Sequence, residues 1–431
     1  MLPLRTSLAL GIAILSASAA AAQLLPQLSP PLGTTIGRTL DDVTQTASQA
    51  GRPLGSGLGE IDSALERLRR TRLDNLSALV RQHPDDLALD LRGDPAVSDE
   101  LLLLDPDAEA LDAARKAGFG VIGDDPVEGL DIRTVRLRVP GGMDLARAER
   151  RLRQVVRGAT IQSNPIYRPM DIAAPRIGSK PIARTTAPAR AVVGLIDGGV
   201  ASLPSFSGAV TSRGFAAGAP VANDHATAIA SILLGHGKIP ALVPGGSLLS
   251  ADVYGRDPRG GSALSIARAL GWLAGSGVRI VNISLVGPDN PLLAKAIAAV
   301  DKRGVVVVAA VGNDGAAAPP AYPASYPQVI AVTGVDAKGR PLIEAGRAKH
   351  VDFAGPAADL LGANAAGGYR LLRGTSYAAP FVAGTLANLD PRQRANRSAA
   401  VAALIRLAVR PANVRGALVG RGVVCSKCAT R

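Results

Sequence analysis

Aromatic side chains make up only 3% of this 431-residue chain, with a single tryptophan. Hydrophobic residues still reach 47%, so the core has to be built from Ala, Val, Leu and Ile. Cysteine is almost absent. Both copies lie in Cys425-Ser426-Lys427-Cys428, so no disulfide framework holds the fold. An oxidising compartment would let Cys425 and Cys428 pair, but so short a loop constrains little. A redox or zinc role would need a βαβ context or further ligands, and the sequence shows neither. After the N-terminus no apolar run approaches the roughly 20 residues of a membrane span, so a transmembrane segment is not expected. Neither a Gly-x-Gly-x-x-Gly strand–helix turn nor a phosphate-binding Gly-Lys-Ser/Thr loop occurs, which argues against a doubly wound nucleotide enzyme.

Positive charge is present in excess, at +13, and part of it is local: Arg392 to Arg431 contains basic residues and no Asp or Glu. No basic motif is interleaved with aromatics, and the N-terminus reads as an export signal. A nucleic-acid partner is therefore not expected. In that signal Arg5 forms the positive region, Ser7 to Leu15 the apolar stretch and Ala20-Ala21-Ala22 the cleavage site. The expected protein is exported, to periplasm or medium.

Residues 23–97 read as a Pro/Gly/Ser/Thr-rich linker, to about Gly59, followed by an Arg-rich amphipathic helix over Ile61 to Val80. From Ser98 strands and helices alternate: a strand at Leu101–Leu104, a helix over Asp107 to Ala117, a strand over Asp131 to Val139, a helix over Asp144 to Val156 and a strand over Ala159 to Tyr167. Residues 98–170 thus predict a small ferredoxin-like α+β domain, and 171–190 an exposed linker. From Ala191 the texture changes to continuous apolar strands, at Ala191–Ile196, Ser247–Val253, Val278–Ser284 and Val305–Ala310. Helices over Ser262 to Ala274 and Pro291 to Lys302 lie between them. This pattern predicts a parallel sheet covered on both faces over residues 191–410, followed by a basic tail at 411–431.

Ligand sites in such sheets lie beyond the carboxyl ends of the strands, which points to Asp197, Ser284 and Asn313. Each has an ordinary reading. Asp197, before two glycines, suits a turn. Asn313, in Ala310-Val311-Gly312-Asn313-Asp314-Gly315, suits a left-handed turn. His225 opens an Ala-rich helix, and Ser376, in Gly374-Thr375-Ser376-Tyr377-Ala378-Ala379-Pro380, could simply cap one. A serine in a first helical turn also has free backbone N–H groups nearby, suited to charge developing in acyl transfer. The four together supply an orienting acid, a base, an oxyanion donor and a nucleophile, in the order Asp, His, Asn, Ser.

That order and those motifs make residues 191 to about 390 resemble a subtilisin-like (subtilase) serine protease domain. The matching pieces are Leu-Ile-Asp-Gly-Gly, His-Ala-Thr, Asn-Ile-Ser-Leu-Val-Gly, Ala-Val-Gly-Asn-Asp-Gly and Gly-Thr-Ser-Tyr-Ala-Ala-Pro. The resemblance implies a three-layer α/β catalytic domain in which Asp197 orients His225, His225 moves the proton and Ser376 attacks through an acyl-enzyme. Asn313 and the Ser376 N–H would hold the oxyanion. Ser284, Leu285, Val286 and Gly287 would pair with an extended protein or peptide substrate. With Ala309, Ala310, Val311 and Gly312 they would wall a pocket for an uncharged side chain before the cut. No cofactor or metal is implied. The ferredoxin-like domain resembles a prodomain that assists folding and blocks the cleft, removed by self-cleavage within Met170 to Arg190, and the protein is expected to be a monomer.

Three departures stand out: Gly198 where Ser or Thr is usual; a histidine motif with Ala226 where Gly is usual and Ala228 where a second histidine is usual; and a compact domain with short stretches between motifs and no obvious acidic loop for calcium. The expected activity is that of a serine endopeptidase made as a precursor. The alternatives are a weakly catalytic subtilase-fold scaffold that retains its prodomain, and an α/β-hydrolase acting on esters or lipids. The second is disfavoured because the acid and the histidine precede the serine.

Overall fold

The computed structural model describes residues 54–170, 172–173, 191–412 and 414–425. The export signal, most of the 23–59 linker, most of the 171–190 linker and Cys428 lie outside the described residues. No described helix is long and apolar enough to cross a membrane.

Helix α1 (Leu54–Gln82) begins inside the stretch expected to be linker. Its C-terminal half buries Leu76, and Leu79 and Val80 pack on Leu87, Val97 and Ile166. The small domain then runs β1 (Leu87–Leu89), β2 (Pro95–Leu104), α2 (Ala108–Lys116), β3 (Gly120–Pro126), β4 (Arg133–Arg138), α3 (Leu145–Val155) and β5 (Thr160–Pro165). Strands β5, β2, β4 and β3 lie side by side and antiparallel, the ferredoxin-like order. Strand β1 pairs with the start of β2, so the domain begins about ten residues before the expected Ser98. Asp107 and Asp144 cap its two helices. Strand β3 was not apparent from the sequence: Gly-Val-Ile-Gly-Asp-Asp-Pro is polar, sits at the sheet edge and carries a bulge.

After the short strands β6 (Arg168–Pro169) and β7 (Ile172–Ala173), the large domain runs β8 (Val192–Asp197), β9 (Ala209–Gly214), α4 (Asp224–Leu234), β10 (Ser247–Asp252), α5 (Ala263–Gly275), β11 (Ile280–Ile283), β12 (Leu285–Val286), α6 (Pro291–Lys302), β13 (Val306–Ala310), β14 (Ile330–Val335), β15 (Phe353–Pro356), β16 (Leu360–Ala363), β17 (Tyr369–Arg373), α7 (Ala379–Ala387) and α8 (Arg397–Leu407). Seven strands form one parallel sheet in the order β15-β14-β13-β11-β8-β10-β9. The expected strands occupy its centre. The additions are at or toward its edges, where β9 is polar and half-exposed and β15 is four residues long.

One sheet face packs against α4, α7 and α8, the other against α5 and α6. The hydrophobic cluster around α5 and α6 also takes in Leu102, Leu104, Val127, Leu130 and Ile132 of the small domain, so the two domains share one apolar layer. Polar side chains pin the edges of that layer. Asn164 and Gln162 accept the backbone N–H groups of Leu264 and Leu292, in the first turns of α5 and α6. Acidic residues of the small domain meet basic residues of the large one, in Arg259 with Asp86 and Asp99, Arg213 with Glu128, and Lys295 with Asp105.

The chain beyond residue 410 is not a free tail up to Cys425. Val419, Val423 and Val424 are buried, and the backbone of Val424 donates to Ala354. Cys425 is disulfide-bonded, and the chain's other cysteine, Cys428, is not among the described residues. The buried carboxylate of Asp352 ties this segment down: it accepts from Arg421 at 2.6 Å and from Arg397 at 2.9 and 3.0 Å. Removing that charge leaves two guanidinium groups without their partner. Asp352→Asn is expected to lower stability by roughly 3 kcal/mol, read as an earlier urea midpoint at unchanged slope.

Candidate active site

Four polar groups converge beyond the carboxyl ends of the central strands. Asp197 is the last residue of β8 and fully buried. His225 is the second residue of α4, buried on the same side. Its Nδ1 lies 2.9 and 3.0 Å from the two Asp197 carboxylate oxygens. A carboxylate in that position holds the proton on Nδ1 and leaves Nε2 as the basic nitrogen.

The sequence departure at Gly198 has a local cause. Asn223 caps α4 by accepting from the Ala226 N–H at 2.8 Å, and its side chain fills the space that a Cβ on residue 198 would occupy. With no Cβ there, the Gly198 N–H donates to Asp197 Oδ1 at 2.8 Å. The cap and the glycine are therefore one device for seating α4, and with it His225, against the end of β8.

Asn313 lies three residues past β13. Its Oδ1 accepts the Thr375 N–H at 2.9 Å, which fixes the amide so that Nδ2 points into the cleft. Gly374, at φ 132°, makes this possible, since a Cβ there would stand 2.6 Å from Asn313 Nδ2. Ser376 lies in a 3₁₀ turn, Thr375–Tyr377, ahead of α7 rather than in the helix, and the helix cap is Ala378, which has no side-chain capping bond. Capping therefore does not account for Ser376. Ser284 Oγ donates to the Ser376 carbonyl at 2.9 Å and accepts from Asn282 Nδ2, bracing the turn against the end of β11.

The cleft is filled by the chain itself. Strand β6 lies antiparallel to β12, with Arg168 opposite Val286 and Pro169 opposite Leu285. Tyr167 donates its N–H to the Gly261 carbonyl at 2.8 Å, so the segment is held between two edges of the large domain. The Tyr167 hydroxyl donates to the Pro288 carbonyl, and Tyr254 donates to the Tyr167 carbonyl. Past Met170, β7 pairs with β17. The Met170 carbonyl oxygen accepts from Asn313 Nδ2 at 2.6 Å and lies 3.4 Å from Ser376 Oγ.

Leu285 and Val286 thus form the edge that β6 meets, with Gly287 close against the Tyr167 ring and Ser284 turned to the Ser376 carbonyl. Gly312 approaches Val286 closely, which brings Ala309 to Gly312, at the end of β13, beside that edge. Tyr167, Met170, Tyr254 and Asp314 were not singled out in sequence. Asp314, directly after Asn313, had the clearest signal.

A model of the subtilase family matches residues 189–419. The chain belongs to the subtilase family. It is thereby a serine endopeptidase, with relatives that include the major intracellular serine protease of Bacillus subtilis, 33% identical over 215 residues, which are 46% of this chain and 67% of that one. Subtilisin BL of Lederbergia lenta is 31% identical over 205 residues, 45% of this chain and 74% of its own. Fervidolysin from Fervidobacterium pennivorans, described as a keratinolytic enzyme related to subtilisin, shares the fold at a TM-score of 0.60 and 18% identity, over 78% of this chain and 61% of its own. The epidermin leader peptide processing serine protease of Staphylococcus aureus does so at 0.59 and 17%, over 77% of this chain and 98% of its own.

Gly198→Ala is expected to lower the melting temperature of this subtilase by pushing Asn223 off its cap, at a cost of about 1–2 kcal/mol. In an Asn223→Ala background the same substitution should cost clearly less, because the clash is gone. Thermal melts of the two single variants and the double variant read the difference.

Proposed function

We propose that the protein is an exported endopeptidase whose first substrate is its own chain, cut between Met170 and Asp171. The observation that carries this is the Met170 carbonyl, which accepts from Asn313 Nδ2 and faces Ser376 Oγ at the end of a strand paired in the cleft. Met170 is uncharged and of medium size, in keeping with the small apolar walls at Val286 and Ala309 to Gly312.

Ser376 Oγ attacks the Met170 carbonyl carbon and passes its proton to His225 Nε2. Asp197 holds the imidazolium that forms. The carbonyl oxygen takes up the negative charge and accepts from Asn313 Nδ2 and the Ser376 N–H. Collapse of this intermediate breaks the bond to Asp171, whose nitrogen leaves with the proton from His225. Residue 170 remains esterified to Ser376 until water, activated by His225, releases it. Protein and peptide substrates then follow the same path.

Residues 87–170 act as a prodomain. Their shared apolar layer with α5 and α6, and the caps from Asn164 and Gln162, support a template role in folding. The filled cleft supports inhibition. Export rests on the first 22 residues alone.

Mass spectrometry of full-length wild type and Ser376→Ala tests this reading. The wild type is expected to yield a product beginning at Asp171, while Ser376→Ala stays whole. Asn313→Ala should slow the cut by about 10²–10³-fold. A fluorophosphonate probe should label the processed wild type at Ser376. Equal processing in both proteins, or no labelling of processed protein, would leave the retained-prodomain scaffold as the better account.

A further inference from the structure

The two donors aimed at the Met170 carbonyl come from separate loops. Asn313 lies on the loop after β13, and the Ser376 N–H belongs to the turn after β17. A residue outside both loops holds each of them. Glu344 lies in the segment between β14 and β15. Its backbone carbonyl accepts the Gly315 N–H at 3.0 Å, and the Gly346 N–H donates to the Gly312 carbonyl at 2.6 Å. The segment thus grips the Asn313 loop on either side of Asn313. The Glu344 side chain reaches the other way, to Arg373, the residue directly before Gly374. Arg373 Nε donates to Glu344 Oε1 at 2.7 Å and Nη2 donates to Oε2 at 3.1 Å.

A guanidinium and a carboxylate joined by two parallel bonds favour one planar arrangement, so the pair fixes direction as well as distance. Only 15% and 9% of the Arg373 and Glu344 side-chain surfaces are exposed, so water screens the pair little. From Arg373 the chain passes to Thr375, whose N–H donates to Asn313 Oδ1 and whose Oγ1 donates to the Gly312 carbonyl at 3.0 Å. The contacts therefore close a circuit from Glu344 through Asn313 and Thr375 to Arg373 and back. Arg373 also stands opposite Ile172, so the circuit backs the strand on the leaving side of the Met170 bond. Oxyanion donors act at about 2.7–3.1 Å, and a misplacement near 1 Å costs on the order of a hundredfold in rate.

We propose that Glu344 is a positioning residue for the oxyanion site. Through Arg373 on one side and the Gly312–Gly315 loop on the other, it sets the spacing between Asn313 Nδ2 and the Ser376 N–H. This rests on the endopeptidase reading, in which those two donors hold the oxyanion.

The test reads the rate constant of self-cleavage in the full-length protein, per folded molecule, with thermal melts recorded alongside. Glu344→Gln is expected to slow the cut about tenfold. Glu344→Asp keeps the charge but is one methylene short, and should slow it severalfold even if Glu344→Gln does not fold. In an Asn313→Ala background each substitution should add no more than about threefold, because the main donor it positions is gone. An ion pair that only stabilises the fold would lower the melting temperature and leave the rate per folded molecule unchanged. Unchanged rates, or the same fold-loss with and without Asn313, overturn the positioning role and leave the endopeptidase reading standing. No self-cleavage in the wild type, or Asn313→Ala cutting as fast as wild type, overturns both.

Discussion

The antiparallel pairing of Arg168–Pro169 with Leu285–Val286 is the contact on which the other arrangements depend. It fixes where the chain crosses the large domain and sets Met170 at the end of a paired strand, with its carbonyl on Asn313. Backbone pairing gives position without demanding particular side chains, so the side chains on either side of it are free to discriminate. Tyr167 uses that freedom with its hydroxyl on Pro288.

Around that crossing, the two domains solve one burial problem jointly. Helices α5 and α6 are apolar toward the sheet and toward the small domain alike, so neither surface is satisfied alone. The acidic rim of the small domain and the basic residues facing it give the contact its register. The apolar layer supplies most of its free energy, since exposed ion pairs contribute little each. A domain docked this way positions the strand that follows it, which links the fold of residues 87–165 to the occupancy of the cleft.

Much of the site was legible because its motifs are short, contiguous and anchored at the ends of apolar strands. Asp197, Asn313 and Ser284 lie beside buried strands that periodicity and composition reveal, and His225 lies on a helix with a visible start. Strands β3 and β9 were hidden because edge strands are polar on the side facing water, and β15 because four residues carry too little pattern. The folded course of the chain after residue 410 was hidden for another reason. Its hold is the charge pairing of Arg397 and Arg421 on Asp352, which no local pattern reveals.

The sequence by itself determined the chemistry: which residue types stand at strand ends and helix starts, in what order, and hence the family. Local physics suffices for that, because each motif carries its own turn, cap or strand end. Only the tertiary structure decided what occupies the cleft and which residues face it. Arg72 and Asp314 are distant in sequence, and meet because α1 packs against the small domain while that domain shares an apolar layer with the large one. Long-range strand pairing and shared burial set such meetings, and neither leaves a trace in any one segment.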